Sequence, residues 1–187
     1  MTTSLLCQSA LSQLLIIDVQ ERLAQSMSET VLATLLRNTA ILIEATAALA
    51  IPTLRTEQYP KGLGPTVPDI MAKLPSDQTA YEKTCFSSCG AAGIEKSLND
   101  TARKQIIIAG MEAHICVLQS ALELQQRGMQ VFVVQDAVCS RSKKHYKNAL
   151  ARMQQAGIII SNTESVLFEW LQDASHPQFK SLSKLIR

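Results

Sequence analysis

Short uninterrupted apolar runs alternate along this chain with longer stretches whose apolar residues recur every three or four positions. Residues 14–19 (LLIIDV) form the first run, closed by Asp18 and the pattern of a strand buried on both faces of a parallel sheet. Between residues 28 and 50, Val31, Leu32, Leu35, Leu36, Ile41, Leu42 and Ala45 keep helical spacing; Ser28 stands at the N-cap position and Pro52 marks the stop. Residues 52–56 suit a second strand, and Pro60, Gly62, Gly64, Pro65 and Pro68 then impose a loop. A third strand is predicted over 83–87 and a short helix over 93–98.

The second half repeats the alternation more plainly. Residues 104–110 (KQIIIAG) read as another fully buried strand, and 116–127 as a helix stopped by Gly128. Strands over 129–134 and 158–160 enclose a helix over 142–155, and a last helix runs over 163–172 with Thr163 as its cap. This predicts a single α/β domain over residues 1–187. Its expected architecture is three-layer α/β/α, with a six-stranded, mostly parallel, doubly wound (Rossmann-like) sheet.

Composition adds expectations about partners. Hydrophobic residues are 47% of the chain and charged ones 18%, too little charge to cover a monomer's surface, which predicts a homo-oligomer. A net charge of +2 with scattered Lys and Arg excludes a nucleic-acid partner. Five cysteines, an odd number, and no signal-peptide layout predict reduced thiols and a cytoplasmic location. No apolar stretch reaches the ~18 residues of a bilayer span. The longest candidate, 39–52, contains Glu44 and ends in proline, so no membrane segment is expected.

Ligands of an open parallel sheet bind beyond the carboxyl ends of its strands. Asp18 ends the first strand, Lys83 lies at the predicted start of the third, and Cys116 follows the turn after residues 104–110. The three residue types suit one chemistry: the carboxylate accepts the thiol proton, the ammonium favours the thiolate, and the thiolate attacks an electrophilic carbon. A helix beginning at Cys116 would lower the thiol pKa and offer N–H donors to an oxyanion. Cys7, Cys85, Cys89 and Cys139 read instead as small buried hydrophobes. Cys85 and Cys89 find no partner at zinc spacing among His114, His145 and His176. Asp136 reads as a capping residue, and the absence of G-x-G-x-x-G and P-loop motifs argues against a nucleotide-dependent enzyme.

The stretches LLIIDVQ, EKTCFS and AGMEAHICVLQSALELQQRGMQVFVVQDAVCSR, in this order, resemble the isochorismatase-like cysteine hydrolase family, most closely its isochorismatase-domain-containing branch. The resemblance implies a catalytic Asp18–Lys83–Cys116 triad and a cis peptide at Met111–Glu112. It also implies an oxyanion hole from the main-chain N–H groups of Glu112 and Cys116. Gln58, Tyr59 and His114 are expected to line the substrate pocket beside them. Nicotinamidases of the family carry an aspartate-and-histidine metal site after the second strand; TLRTEQYPKGLGPTVPDI has no histidine, so no metal or other cofactor is implied. Isochorismate vinyl-ether hydrolases generally lack the cysteine, so Cys116 points to a small amide, imide or related carbonyl substrate. Two alternatives stand beside this expectation: a thiol-based redox sensor, and a catalytically silent oligomeric scaffold.

Overall fold

A computed structural model describes residues 4–76 and 78–186; of the expected domain, residues 1–3, 77 and 187 lie outside the described residues. The chain runs β1 (Ser12–Ile17), α1 (Glu21–Ala24), α2 (Glu29–Ala48), β2 (Thr53–Gln58), α3 (Pro60–Leu63), α4 (Pro68–Met71), β3 (Tyr81–Lys83) and α5 (Ile94–Asp100). It continues through β4 (Gln105–Met111), α6 (Leu118–Gln126), β5 (Gln130–Cys139), α7 (Lys143–Gln155), β6 (Ile159–Ser161), α8 (Thr163–Leu171) and α9 (Phe179–Leu182). The six strands are parallel throughout, in the order β3-β2-β1-β4-β5-β6. This is a doubly wound α/β/α sheet whose strand order reverses between β1 and β4.

The unbroken apolar runs follow from burial on both faces. Leu14 and Ile16 of β1, Ile107 and Ala109 of β4, and Phe132 and Val134 of β5 pack with α2 and α8. Their neighbours Leu15, Ile17, Ile106, Ile108, Val131 and Val133 point the other way, onto α5, α6 and α7. Alternate side chains thus feed two separate cores, and in β1 and β4 polar residues are buried only at the strand starts, where Ser12, Gln13 and Gln105 find hydrogen-bond partners. Helix α2 has the length and apolarity of a membrane span, but Leu35, Ile41, Leu42 and Ala45 lie buried against the sheet as in a core helix. Leu182 of α9 is buried in that core, with Leu185 and Ile186 packed against it, so the described tail folds back on its own chain.

Several boundaries differ from expectation. β2 extends to Gln58 because its far end pairs with β3, and β3 covers Tyr81–Lys83, so Lys83 ends that strand instead of starting it. Residues 84–90 leave the sheet because Ser87 Oγ caps a 3₁₀ turn, accepting from the Cys89 N–H. The breaker-rich loop contains α3 and α4, each with proline in its first turn, where a missing N–H is harmless. β5 runs past its predicted end because a register irregularity opposite Ile108 and Gly110 lets it resume pairing, placing Cys139 beside Met111. Ser28 occupies its N-cap position without a side-chain hydrogen bond, and Asn162, not Thr163, caps α8 through Ser165 N–H.

Candidate active site

The site forms where β1 and β4 end side by side. Ile17 and Gly110 are register partners. A Cβ on Gly110, whose φ is 128°, would lie 2.0 Å from the Ile17 carbonyl oxygen. Only glycine lets the two strands approach this closely. Asp18 follows in the left-handed region, with φ 51°, a conformation aspartate tolerates better than most residues, and its N–H donates to Thr56 O at 3.2 Å.

The Asp18 carboxylate is fully buried and both oxygens are held. Thr56 Oγ1 donates to Oδ1 at 2.7 Å, and Lys83 Nζ donates to Oδ2 at 2.6 Å. Neither side chain of the Asp18–Lys83 pair exposes any surface. Lys83 Nζ also donates to Gln58 Oε1 at 2.7 Å and to the carbonyls of Phe86 and Cys85 at 3.0 and 3.3 Å.

Cys116 faces this pair from the other side of the strand crossover. The Met111–Glu112 peptide is cis, and Ala113–Val117 then form a π-helical turn in which Val117 N–H reaches back to Glu112 O at 3.2 Å. Cys116 therefore sits inside the turn leading into α6, not at the start of a helix as predicted. Its carbonyl accepts from Ser120 Oγ at 2.6 Å, and Ser120 Oγ accepts from the Ser88 N–H at 2.7 Å, tying the turn to the segment after β3.

Cys116 is 5% exposed. Burial pushes its pKa from 9.0 up to about 12; the Asp18 carboxylate adds to the rise and the Lys83 ammonium opposes it. This reverses the expected lowering by a helix terminus, because desolvation outweighs what the neighbouring charges contribute. The resting group at neutral pH is a protonated thiol beside a carboxylate.

The expected pocket residues fare differently. Gln58 joins the site, but its amide is occupied: Oε1 accepts from Lys83, and Nε2 donates to Thr84 O at 2.6 Å. Tyr59 is 54% exposed, and its ring lies on Gly62. His114 Nδ1 pairs with Ser140 Oγ at 3.0 Å, and its ring packs on His145 at 4.6 Å, where burial holds it below its ordinary pKa. The Glu112 carboxylate points toward Arg141, whose N–H donates to Oε1 at 3.2 Å. Ser140 and Arg141 also wall a groove of about 610 Å³ between α2 and α7. Asp136 caps α8, accepting from Thr163 N–H and Oγ1 at 2.8 and 2.9 Å.

Thr56, Ser120 and Gln20 were not singled out in the sequence. Gln20 stood within LLIIDVQ, two positions past Asp18, and that spacing was the available signal. Among the described residues no group of three His, Cys, Asp or Glu side chains could hold a metal ion.

The chain is similar to known proteins in sequence and in fold. A family model described as the isochorismatase domain matches residues 12–165. Isochorismatase domain-containing protein 2 of Danio rerio is 40% identical over 176 residues, 94% of this chain and 86% of that protein. A structure described as MAR1 ribonuclease from Caenorhabditis elegans is 38% identical, with a TM-score of 0.90 over 96% of this chain and 91% of that one. The YcaC product of Escherichia coli, described as an octameric hydrolase of unknown specificity, shares the fold with a TM-score of 0.89 at 24% identity, over 100% of this chain and 91% of that one. With the family model spanning most of its length and a relative this similar along nearly all of it, the chain belongs to the isochorismatase family.

Proposed function

We propose that this chain is a metal-independent cysteine hydrolase that cleaves a small amide, imide or related carbonyl compound through a thioester on Cys116. The observation that carries the reading is a protonated, buried thiol beside a carboxylate with both oxygens fixed. Such a thiol needs a base at the moment of attack, and Asp18 is that base: each oxygen keeps a lone pair beyond the hydrogen bond it accepts.

In the proposed cycle the Cys116 proton passes to Asp18 as sulfur bonds to the carbonyl carbon. The main-chain N–H groups of Glu112 and Cys116 stabilise the oxyanion, and the leaving nitrogen departs with the proton from Asp18. Asp18 then takes a proton from water as the water oxygen adds to the thioester carbon, and returns that proton to the Cys116 sulfur as the C–S bond breaks and the acid is released. Lys83 stabilises the negative charge of both steps. The raised thiol pKa opposes the redox-sensor alternative, which needs a standing thiolate. The ribonuclease description of the C. elegans relative supplies a second substrate to try, although a thiol this buried suits a small carbonyl compound better than a polymer backbone.

A homo-oligomer in the cytoplasm is part of the same proposal. Its support is the low charge content, exposed Leu5, Leu6 and Leu11, and the octamer described for YcaC. The test is hydrolysis across a panel of small amides and imides, with single-stranded RNA as a further arm. Activity on a panel member, lost in Cys116→Ala, is expected; Cys116→Ala retaining full activity sinks the reading.

A further inference from the structure

Lys83 carries more hydrogen bonds than an ion pair with Asp18 needs. An ammonium has three N–H donors. Here Asp18 Oδ2, Gln58 Oε1 and Phe86 O lie at 2.6, 2.7 and 3.0 Å, with Cys85 O at 3.3 Å beyond them. The three short bonds fix the ammonium from three directions. Lys83 therefore acts on Cys116 from a fixed point, by its charge and by a hydrogen bond to the thiol, both of which oppose the rise in the thiol pKa.

The fixing comes largely from two amides. Gln58 accepts from Lys83 with Oε1 and donates from Nε2 to Thr84 O at 2.6 Å. Reversing the amide would set NH₂ against the ammonium and oxygen against a carbonyl, so its orientation is chemically forced. The backbone of Gln58 is held in turn by fully buried Gln20. Gln20 Oε1 accepts from Gln58 N–H at 2.7 Å, and Gln20 Nε2 donates to Gln58 O at 3.0 Å and Gly64 O at 2.6 Å. Gln20 N–H itself donates to Asp18 O at 2.8 Å. One tight turn after β1 thus presents Asp18 to the ammonium directly and steadies the other side of the ammonium through Gln20 and Gln58.

We propose that Gln58, braced by Gln20, is a positioning residue that anchors the Lys83 ammonium as a neutral partner, leaving its charge undivided between Asp18 and the developing Cys116 thiolate. The proposal rests on the reading of Cys116 as nucleophile. A neutral amide is the functional choice at this position. A carboxylate there would still accept from the ammonium, but it would turn its second oxygen toward the Thr84 carbonyl and leave the site one negative charge richer, opposing formation of the thiolate.

The test is the pH profile of Cys116 alkylation by iodoacetamide, followed by peptide mapping that separates Cys116 from exposed Cys85. Gln58→Glu keeps the length and the acceptor for Lys83, and its loss of the Thr84 bond is shared by Gln58→Met, so the added charge is what sets the two variants apart. The expected result is a profile displaced upward by about one pH unit or more, equivalent to a tenfold slower reaction at fixed pH below the transition. Gln58→Met, which cannot accept from Lys83, should slow alkylation several-fold with little change in melting temperature. Folded Gln58→Glu with the wild-type profile overturns the proposal while leaving the nucleophile reading intact. Wild-type Cys116 that stays unalkylated while Cys85 reacts overturns both. Independently of any variant, protein labelled with ¹⁵N-lysine should show one slowly exchanging ammonium resonance, lost in Lys83→Met. An ammonium that exchanges as fast as surface lysines contradicts the anchoring.

Discussion

Replacing Lys83 by methionine separates the two parts of the buried pair and gives the sharpest stability test. Asp18 would keep the Thr56 hydroxyl on Oδ1 but lose the partner 2.6 Å from Oδ2, in a site where neither side chain meets water. Breaking such a pair typically costs about 3–5 kcal/mol, because the remaining charge is left buried. Against a typical total of about 5–15 kcal/mol this is a large fraction. At roughly 2–4 °C per kcal/mol for a chain of this size, the melting temperature should fall by about 10 °C. Removing both charges should relieve much of the loss, so Asp18→Asn/Lys83→Met should be more stable than Lys83→Met alone. Urea unfolding followed by circular dichroism measures all four members of the cycle. A loss under about 1 kcal/mol for Lys83→Met, or a double variant no more stable than that single one, would refute the buried-pair argument.

Other consequences are equally open to measurement. Gly110→Ala places a Cβ 2.0 Å from Ile17 O in a backbone conformation that alanine avoids, and should cost at least ~2 kcal/mol in urea unfolding. Of the five cysteines only Cys85 is exposed, so Ellman's reagent should find one fast thiol in the native protein and five in urea. Stability should fall as pH rises above about 9, because Cys116 and Cys139 stay protonated in the folded protein up to about 12 while unfolded thiols ionise from 9.0. The unfolded chain then binds fewer protons, and each such thiol contributes up to about 1.4 kcal/mol of loss per pH unit. Unfolding curves at pH 8 and 10 check the sign, and Cys139→Ala should flatten the slope.

How much of this was legible in the sequence depended on whether the cause was local. The runs in β1 and β4 declare themselves because burial on both faces leaves residues 14–17 and 106–109 wholly apolar, and Asp18 follows as the first polar residue past the run. Local composition puts Lys83 at the wrong end of its strand because β3 is a three-residue edge strand, defined by its pairing with Thr56–Gln58 more than by its own residues. The far half of β5 was missed because the break in register opposite Ile108 and Gly110 interrupts the alternation that marks a strand. Gln58 looked like a pocket residue because its partners Lys83 and Gln20 lie 25 and 38 positions away, and no local pattern announces them. The direction of the Cys116 pKa was misread for a related reason: a turn's proximity to a helix is local, whereas the burial that dominates the thiol is a property of the finished fold.

The claim that Cys116 attacks a carbonyl with Asp18 as its base is tested most directly by acid-quenching the protein during turnover of an amide substrate and mapping the peptides by mass spectrometry. An acyl group with the mass of the substrate's acid portion is expected on the Cys116 peptide, and no such adduct in Asp18→Asn. Turnover that continues undiminished in Cys116→Ala, or an acyl group found only on another residue, would contradict it.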